Sequence, residues 1–417
     1  MTENLPPTPP PIPQAGPALG ATRIDSIDVL RGFALMGILV MNIQAFSMPS
    51  YAYSAASAYG NLEGLNFVVW VLGSIFFDMK FMAMFSMLFG AGIVLMSQHR
   101  DAAGKPVVAL HYRRMVLLLI FGLIHAYLIW WGDILVAYAV CGMIVFWARR
   151  LPTGFLVSLG AVLIVIGSGI FVLLGLGGLA SEEFAEEMRA STVSTPEELE
   201  AEVEAHRGGW TEHLKYRVEN AGMMHIALLP LSFGWRICGL MLIGMGLFKW
   251  GVLSAQLPSR TYVRMAMMGG GLGLPLTTLG AITNWSQDFD PVYTTGIGLL
   301  LNWFGSVGVA LMWIALVMLF VQSPFGCRIK SVLGAYGRTA FTNYIGQTLL
   351  ATFVFYGYGL GLFGSMDRVG QFGIVIAIWA VGLTISPIWL NYFQFGPLEW
   401  VWRSGAYKEL QPMRRKA

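Results

Sequence analysis

Asp28 and Arg31 lie three residues apart and share a helix face, and Asn42, three turns beyond Arg31, returns to that face. A guanidinium fork suits phosphate, and a carboxamide further along the same face can steady a developing oxyanion. His125 and Asp133 offer an imidazole and a carboxylate, a general base and the group that orients it. Eight residues of helix span about 12 Å, so the two meet only if the chain breaks at Trp131-Gly132. Arg338 heads a polar face formed by Thr339, Asn343 and Gln347 at i, i+4 and i+8. Lys80 follows Asp78, Ser86 sits in the run Phe85-Ser86-Met87-Leu88-Phe89-Gly90, and Arg236 has no acid three or four residues away. Each has a bland explanation: a snorkelling arginine, an interhelical hydrogen bond, or small residues that let helices approach. Together they exceed what packing requires, and unpaired polar groups inside a membrane point to a shared functional cavity.

These residues sit in a strongly apolar chain. Its 417 residues are 56% hydrophobic and 12% charged, with a mean hydropathy of +0.64. That is too little charge to cover a water-soluble globule of this size. The apolar residues come in blocks of roughly 17 to 25, the length of a membrane-spanning helix, without the alternation of a barrel. The expected fold is all-α, a polytopic helical membrane bundle of about ten transmembrane helices plus an interfacial or re-entrant helix. The spans are read at 27–46, 81–97, 115–131, 134–147, 155–179, 226–248, 262–282, 296–321, 333–357 and 371–392. Lys and Arg gather in alternate connections, which all become cytoplasmic if 65–97 crosses once. Residues 65–77 are then the interfacial or re-entrant helix, both termini are cytoplasmic, and Arg368 is the exception among the short outer loops.

Five regions follow: a Pro-rich tail at 1–22, a membrane half at 23–180, an acidic outer segment at 181–225, a second membrane half at 226–392, and a juxtamembrane tail at 393–417. The tail, with seven prolines between Pro6 and Pro17, is expected to be disordered. The outer segment holds 11 of the 15 glutamates, so it reads as a solvated helical hairpin. Thr195, Pro196 and Glu198 predict a capping box there. His206, His213 and His225 lack ligand spacing and the three cysteines lack redox spacing, so no metal and no disulfide are expected. Basic residues without a groove of interleaved aromatics exclude nucleic acid as a partner. His125 is the only histidine in a predicted span, with His99 and His111 in a basic loop.

Several runs carry a resemblance. Arg23-Ile24-Asp25-Ser26-Ile27-Asp28-Val29-Leu30-Arg31-Gly32, the Phe85–Gly92 and His125–Asp133 runs, Gly337-Arg338-Thr339-Ala340-Phe341-Thr342-Asn343-Tyr344 and Gly396-Pro397-Leu398-Glu399-Trp400-Val401-Trp402-Arg403 resemble the YeiB family of bacterial inner-membrane proteins. The opening run is also distantly similar to that of transmembrane acyltransferases such as heparan-alpha-glucosaminide N-acetyltransferase, in which acyl-CoA enters from the cytoplasm. Ser47 to Gly64 contains no histidine, where that enzyme carries its catalytic one.

The resemblance implies a multi-pass bacterial inner-membrane protein that moves an acyl group from acyl-CoA to a hydroxyl or amine of a cell-envelope glycan or lipid. Arg23, Arg31 and Arg338 would receive the donor's phosphates, with Asp28 beside Arg31 in the same cofactor-binding group, and Asn42, Asn343 and Gln347 would position the thioester and stabilise the oxyanion. His125 with Asp133 would act as base, and Lys80, Ser86 and Arg236 would line the substrate cavity. Membrane lipids and the envelope acceptor are the expected partners, with homo-oligomer formation left open. The alternative is a transporter or flippase in which the same polar groups line a path.

Overall fold

The computed structural model describes residues 24–415; the Pro-rich tail and Arg23 lie outside the described residues. The protein is an all-α membrane bundle. Its helices are α1 (Asp25–Ser47), α2 (Tyr51–Ser54), α3 (Gly64–Leu72), α4 (Lys80–Ala102), α5 (Val108–Ile124) and α6 (Leu135–Val145). They continue as α7 (Thr153–Ala180), α8 (Glu182–Thr192), α9 (Pro196–Arg207), α10 (Leu214–Gly222), α11 (Gly234–Lys249) and α12 (Ser259–Ser286). The last are α13 (Pro291–Tyr293), α14 (Leu299–Gln322), α15 (Cys327–Arg338), α16 (Ala340–Phe355), α17 (Arg368–Tyr392) and α18 (Pro397–Tyr407). Eight helical stretches among the described residues are long and apolar enough to cross a membrane. The other two expected crossings fall on shorter pieces, α6 with a 3-10 turn (Phe146–Arg150), and α15 followed by α16.

Gly64–Ala102 is a single helical stretch of 39 residues by length alone. Straight, it would be about 58 Å long, far beyond a hydrocarbon core of about 30 Å. The chain instead breaks at Met79, whose φ is +64°, which separates α3 and its π-helical turn Gly73–Phe77 from α4. Elsewhere small residues set the packing. A Cβ at Gly32 would strike the backbone of Leu333, and one at Gly337 the carbonyl of Asp28, so α1 and α15 cross in contact. That contact brings Arg31 Nη1 within 3.5 Å of the carbonyl of Gly337, the residue before Arg338.

The acidic segment is three helices rather than a hairpin, and it is docked. Thr195 and Glu198 form the capping box of α9, and Glu182, Glu183, Glu186 and Glu187 are all solvent-exposed. Glu202 turns inward and accepts from the Ser50 amide at 2.9 Å, and Arg207 Nε donates to the Phe363 carbonyl at 2.7 Å. His206 and His213 are buried with ring centroids 4.0 Å apart, His206 stacks on Phe363, and Arg217 donates to the Tyr127 carbonyl. Arg368, the charge exception, also folds inward and donates to the Ala56 and Asn61 carbonyls.

Burial, with the Arg217 charge nearby, pushes His206 down to about 4 and His213 to about 2. Unfolded imidazoles protonate near pH 6.5, so between pH 6.5 and 4 the unfolded segment binds more protons than the docked one, and stability falls on acidification. For His206 alone this is about 3 kcal/mol between pH 7 and pH 4. Amide protection factors across α9 and α10, which remove the fall of intrinsic exchange with pH, should therefore drop steeply as pH falls from 7 to 5. Replacing both histidines with glutamine should flatten that dependence, and a pH-independent wild-type profile would contradict it.

Candidate functional site

At the end of the bundle where arginines gather, Arg31 Nη1 donates to Asp28 Oδ1 at 3.0 Å, with the Gly337 carbonyl at 3.5 Å. The helix breaks at Thr339, and Glu399 of α18 caps the new helix, accepting from the Phe341 amide at 2.7 Å, the Thr342 amide at 3.2 Å and Thr342 Oγ1 at 2.6 Å. Three bonds to a helix N-terminus suit a carboxylate, although burial raises its pKa. The pinned α18 brings Trp402 against α5, where the Arg114 guanidinium lies 4.5 Å above its ring. The segment expected only to anchor the tail thus closes a cavity of about 200 Å³, lined among others by Arg31, Arg114, Arg338 and Arg403. His111, expected in a loop, is buried in α5, bonds the Gly142 carbonyl at 3.0 Å and lines this cavity.

At the far end of α5 a π-helical turn, His125–Ile129, is followed by extended Trp130. Gly132 permits the reversal, since a Cβ there would meet the Trp130 indole. The chain breaks where the spacing required, and His125 Nδ1 meets Asp133 Oδ1 at 2.8 Å. Asp133 Oδ2 accepts from the Val136 amide at 2.7 Å, so one carboxylate orients the imidazole and caps α6. On the opposite side His125 Nε2 lies 3.0 Å from Thr348 Oγ1. An ionised carboxylate only accepts, so Nδ1 carries the proton and Nε2 takes the threonine hydrogen bond. The result is a buried Asp–His–Thr series, with His125 and Thr348 each 1% exposed.

Asp133 and Asn42 line a second cavity of about 340 Å³. The His125 ring stands behind its wall, 5.2 Å from the Tyr344 ring. Ile38, Ile134, Tyr138 and Tyr344 line both this cavity and the basic one, so the two meet end to end. A third, more polar cavity of about 130 Å³ shares Met41, Tyr53 and Asp78 with the second.

The other expected site residues are placed elsewhere. Lys80 is buried and lines none of these cavities; it donates to the Ser74 carbonyl and to Asn302 Oδ1, two residues that line the third one. Ser86 donates to the Met82 carbonyl at 2.8 Å and lies 3.1 Å from the Tyr138 hydroxyl. Arg236 is fully buried, donates to the Trp303 carbonyl and Ser306 Oγ, and covers the Trp303 ring at 4.4 Å. Asn343 Nδ2 bonds Thr339 and Ser386, and Gln347 Nε2 bonds the Tyr336 hydroxyl at 2.7 Å, joining helices rather than facing these cavities.

Sequence reasoning missed Thr348, the neighbour of Gln347 that meets the imidazole, and Tyr344, one turn before it and inside a motif already noted. It also missed His225, which lines the second cavity with both ring nitrogens buried and no hydrogen-bond partner among the described residues. Its apolar, Pro-containing surroundings held no local signal.

Residues 247–409 match the family model described as a protein of unknown function (DUF418). That region supplies Arg338, Tyr344, Thr348 and Arg403. The chain is 32% identical over 386 residues, 91% of its length and 94% of the relative's, to the uncharacterized protein YeiB of Escherichia coli K12. It is 30% identical over 415 residues, 96% and 98% of the two chains, to the uncharacterized protein YxaH of Bacillus subtilis 168.

Proposed function

The chain belongs to the YeiB family, and we propose that it is a membrane acyltransferase moving an acyl group from cytoplasmic acyl-CoA to a hydroxyl or amine of a cell-envelope glycan or lipid. One observation carries the reading: an arginine-lined cavity and an opposite cavity edged by Asn42 and Asp133 meet at Tyr138 and Tyr344. Phosphates suit the first because Arg31, Arg114, Arg338 and Arg403 surround it, while both oxygens of Glu399, its carboxylate, are engaged in capping α16. The donor's thioester then points toward the second cavity.

There the acceptor's proton enters the His125–Asp133 pair through Asp133, the member that lines the cavity, as the acceptor oxygen or nitrogen bonds to the acyl carbon, and Asn42 steadies the carbonyl oxygen. As the carbon–sulfur bond breaks, the pair returns that proton to the departing thiolate. Asn343 and Gln347 have no part in this step, since their amides are spent on helix contacts.

The test is thermal stabilisation of the purified protein by acetyl-CoA. A saturable rise in Tm that free acetate does not reproduce is expected, and no rise at millimolar acetyl-CoA removes the donor. The transporter or flippase reading draws on the same cavities as a path; it requires no donor binding, and it leaves the buried Asp–His–Thr series without a purpose.

The orientation is part of the proposal: both termini cytoplasmic in the inner membrane, with α8–α10 outside. With exposed Cys327 replaced by serine, cysteines at Ser57 and Glu200 should react with an impermeant thiol reagent from outside, and one at Lys105 should not. Outside labelling at Lys105 would invert the orientation.

A further inference from the structure

The third cavity has a wall chemistry unlike the other two. It lies between the end of α1, the π-helical turn after α3, and the facing ends of α12, α14 and α17. Trp70 and Phe372 supply aromatic faces, and Gln44, Asn284, Asn302 and Gln371 supply side-chain amides. Asp78 is the carboxylate, fixed by the Tyr53 hydroxyl at 2.7 Å and by Asn302 Nδ2 at 2.8 Å. Asn284 Oδ1 is buried with no hydrogen-bond partner among the described residues, which marks a position for an incoming donor. A Cβ at Gly298 would collide with that carboxamide, so the glycine is what lets Asn284 sit there.

Apolar acyl chains find too many polar groups here, and phosphate meets a carboxylate beside the inward-turned Arg368. Among the described residues no cluster could hold a metal ion. Aromatic faces for C–H edges, with fixed amide and carboxylate groups for neighbouring hydroxyls, are the chemistry of polyol recognition.

We propose that this cavity binds a vicinal-diol group, supplied by a pyranose of a glycan or by the glycerol end of a lipid. The proposal rests on the acyltransferase reading for its purpose: Met41, Tyr53 and Asp78 are shared with the cavity that Asn42 and Asp133 line, so a diol bound here extends a further hydroxyl toward them.

Saturation-transfer NMR on the full chain in nanodiscs tests it, with methyl α-D-glucopyranoside in one arm and glycerol in the other. Saturable transfer to one probe is expected, and the responding arm identifies the source. Asn284→Leu should weaken that binding at least tenfold. Gly298→Ala, which displaces the carboxamide without removing it, should do the same, and both variants should keep the wild-type Tm shift with acetyl-CoA. Absence of transfer to both probes, or transfer unchanged in both variants, overturns the site. Loss of the acetyl-CoA shift in wild type with diol binding intact would overturn the acyltransferase reading alone.

Discussion

His125→Gln should lower acyl transfer roughly 10²- to 10⁴-fold, the range general-base catalysis contributes, while expression and acetyl-CoA binding stay near wild type. Glutamine can still donate to Asp133 and accept from Thr348, so the buried carboxylate keeps a partner and the fold is spared. What it cannot do is take a proton near neutral pH. Alanine would be a poorer choice, because orphaning a buried charge costs about 3–5 kcal/mol and confuses unfolding with lost chemistry. Thr348→Val separates the two roles further: it removes the hydroxyl at Nε2 and should lower turnover less than His125→Gln does, with acetyl-CoA binding unchanged. Retention of transfer within threefold in His125→Gln would make the imidazole a core residue. If His225→Gln stopped transfer instead, the base would be the unpartnered ring that lines the cavity.

Arg31→Lys should weaken acetyl-CoA at least tenfold and insert normally. Lysine keeps the positive charge beside Asp28 but loses the planar fork that grips phosphate, and a charge-assisted hydrogen bond is worth about 1.5–3 kcal/mol. Arg338→Lys should act in the same direction, since both line the arginine cavity, and the residual affinity should fall with salt. Arg236→Lys is the control. Its guanidinium holds Trp303 and Ser306 outside these cavities, so its loss should lower Tm and leave the affinity of the folded fraction unchanged. Unchanged affinity in Arg31→Lys and Arg338→Lys together would take phosphate recognition away from this mouth.

Interactions that close within one or two helical turns were legible before any tertiary structure. The capping box of Thr195 and Glu198, the Asp28–Arg31 pair and the apolar lengths of the crossing helices depend on near neighbours and on the solvent each segment meets. The His125–Asp133 contact was legible as a condition, a chain break at Trp131-Gly132, because a glycine after two bulky residues is a local signal.

Which face of a helix looks inward is decided by partners hundreds of residues away. On α16, Asn343 and Gln347 turn to neighbouring helices, while Thr348, one residue further round, meets the imidazole. Glu399 caps a helix 57 residues away from it in sequence, and His206 and His213 go under cover because Tyr356 and Phe363 come to lie over them. The helical bundle, its polar residues and their local pairs follow from the order of residues along the chain. Which of those residues face a cavity follows from packing, because close glycine-mediated crossings set helix rotation, and rotating a helix by one residue exchanges a lining side chain for a packed one.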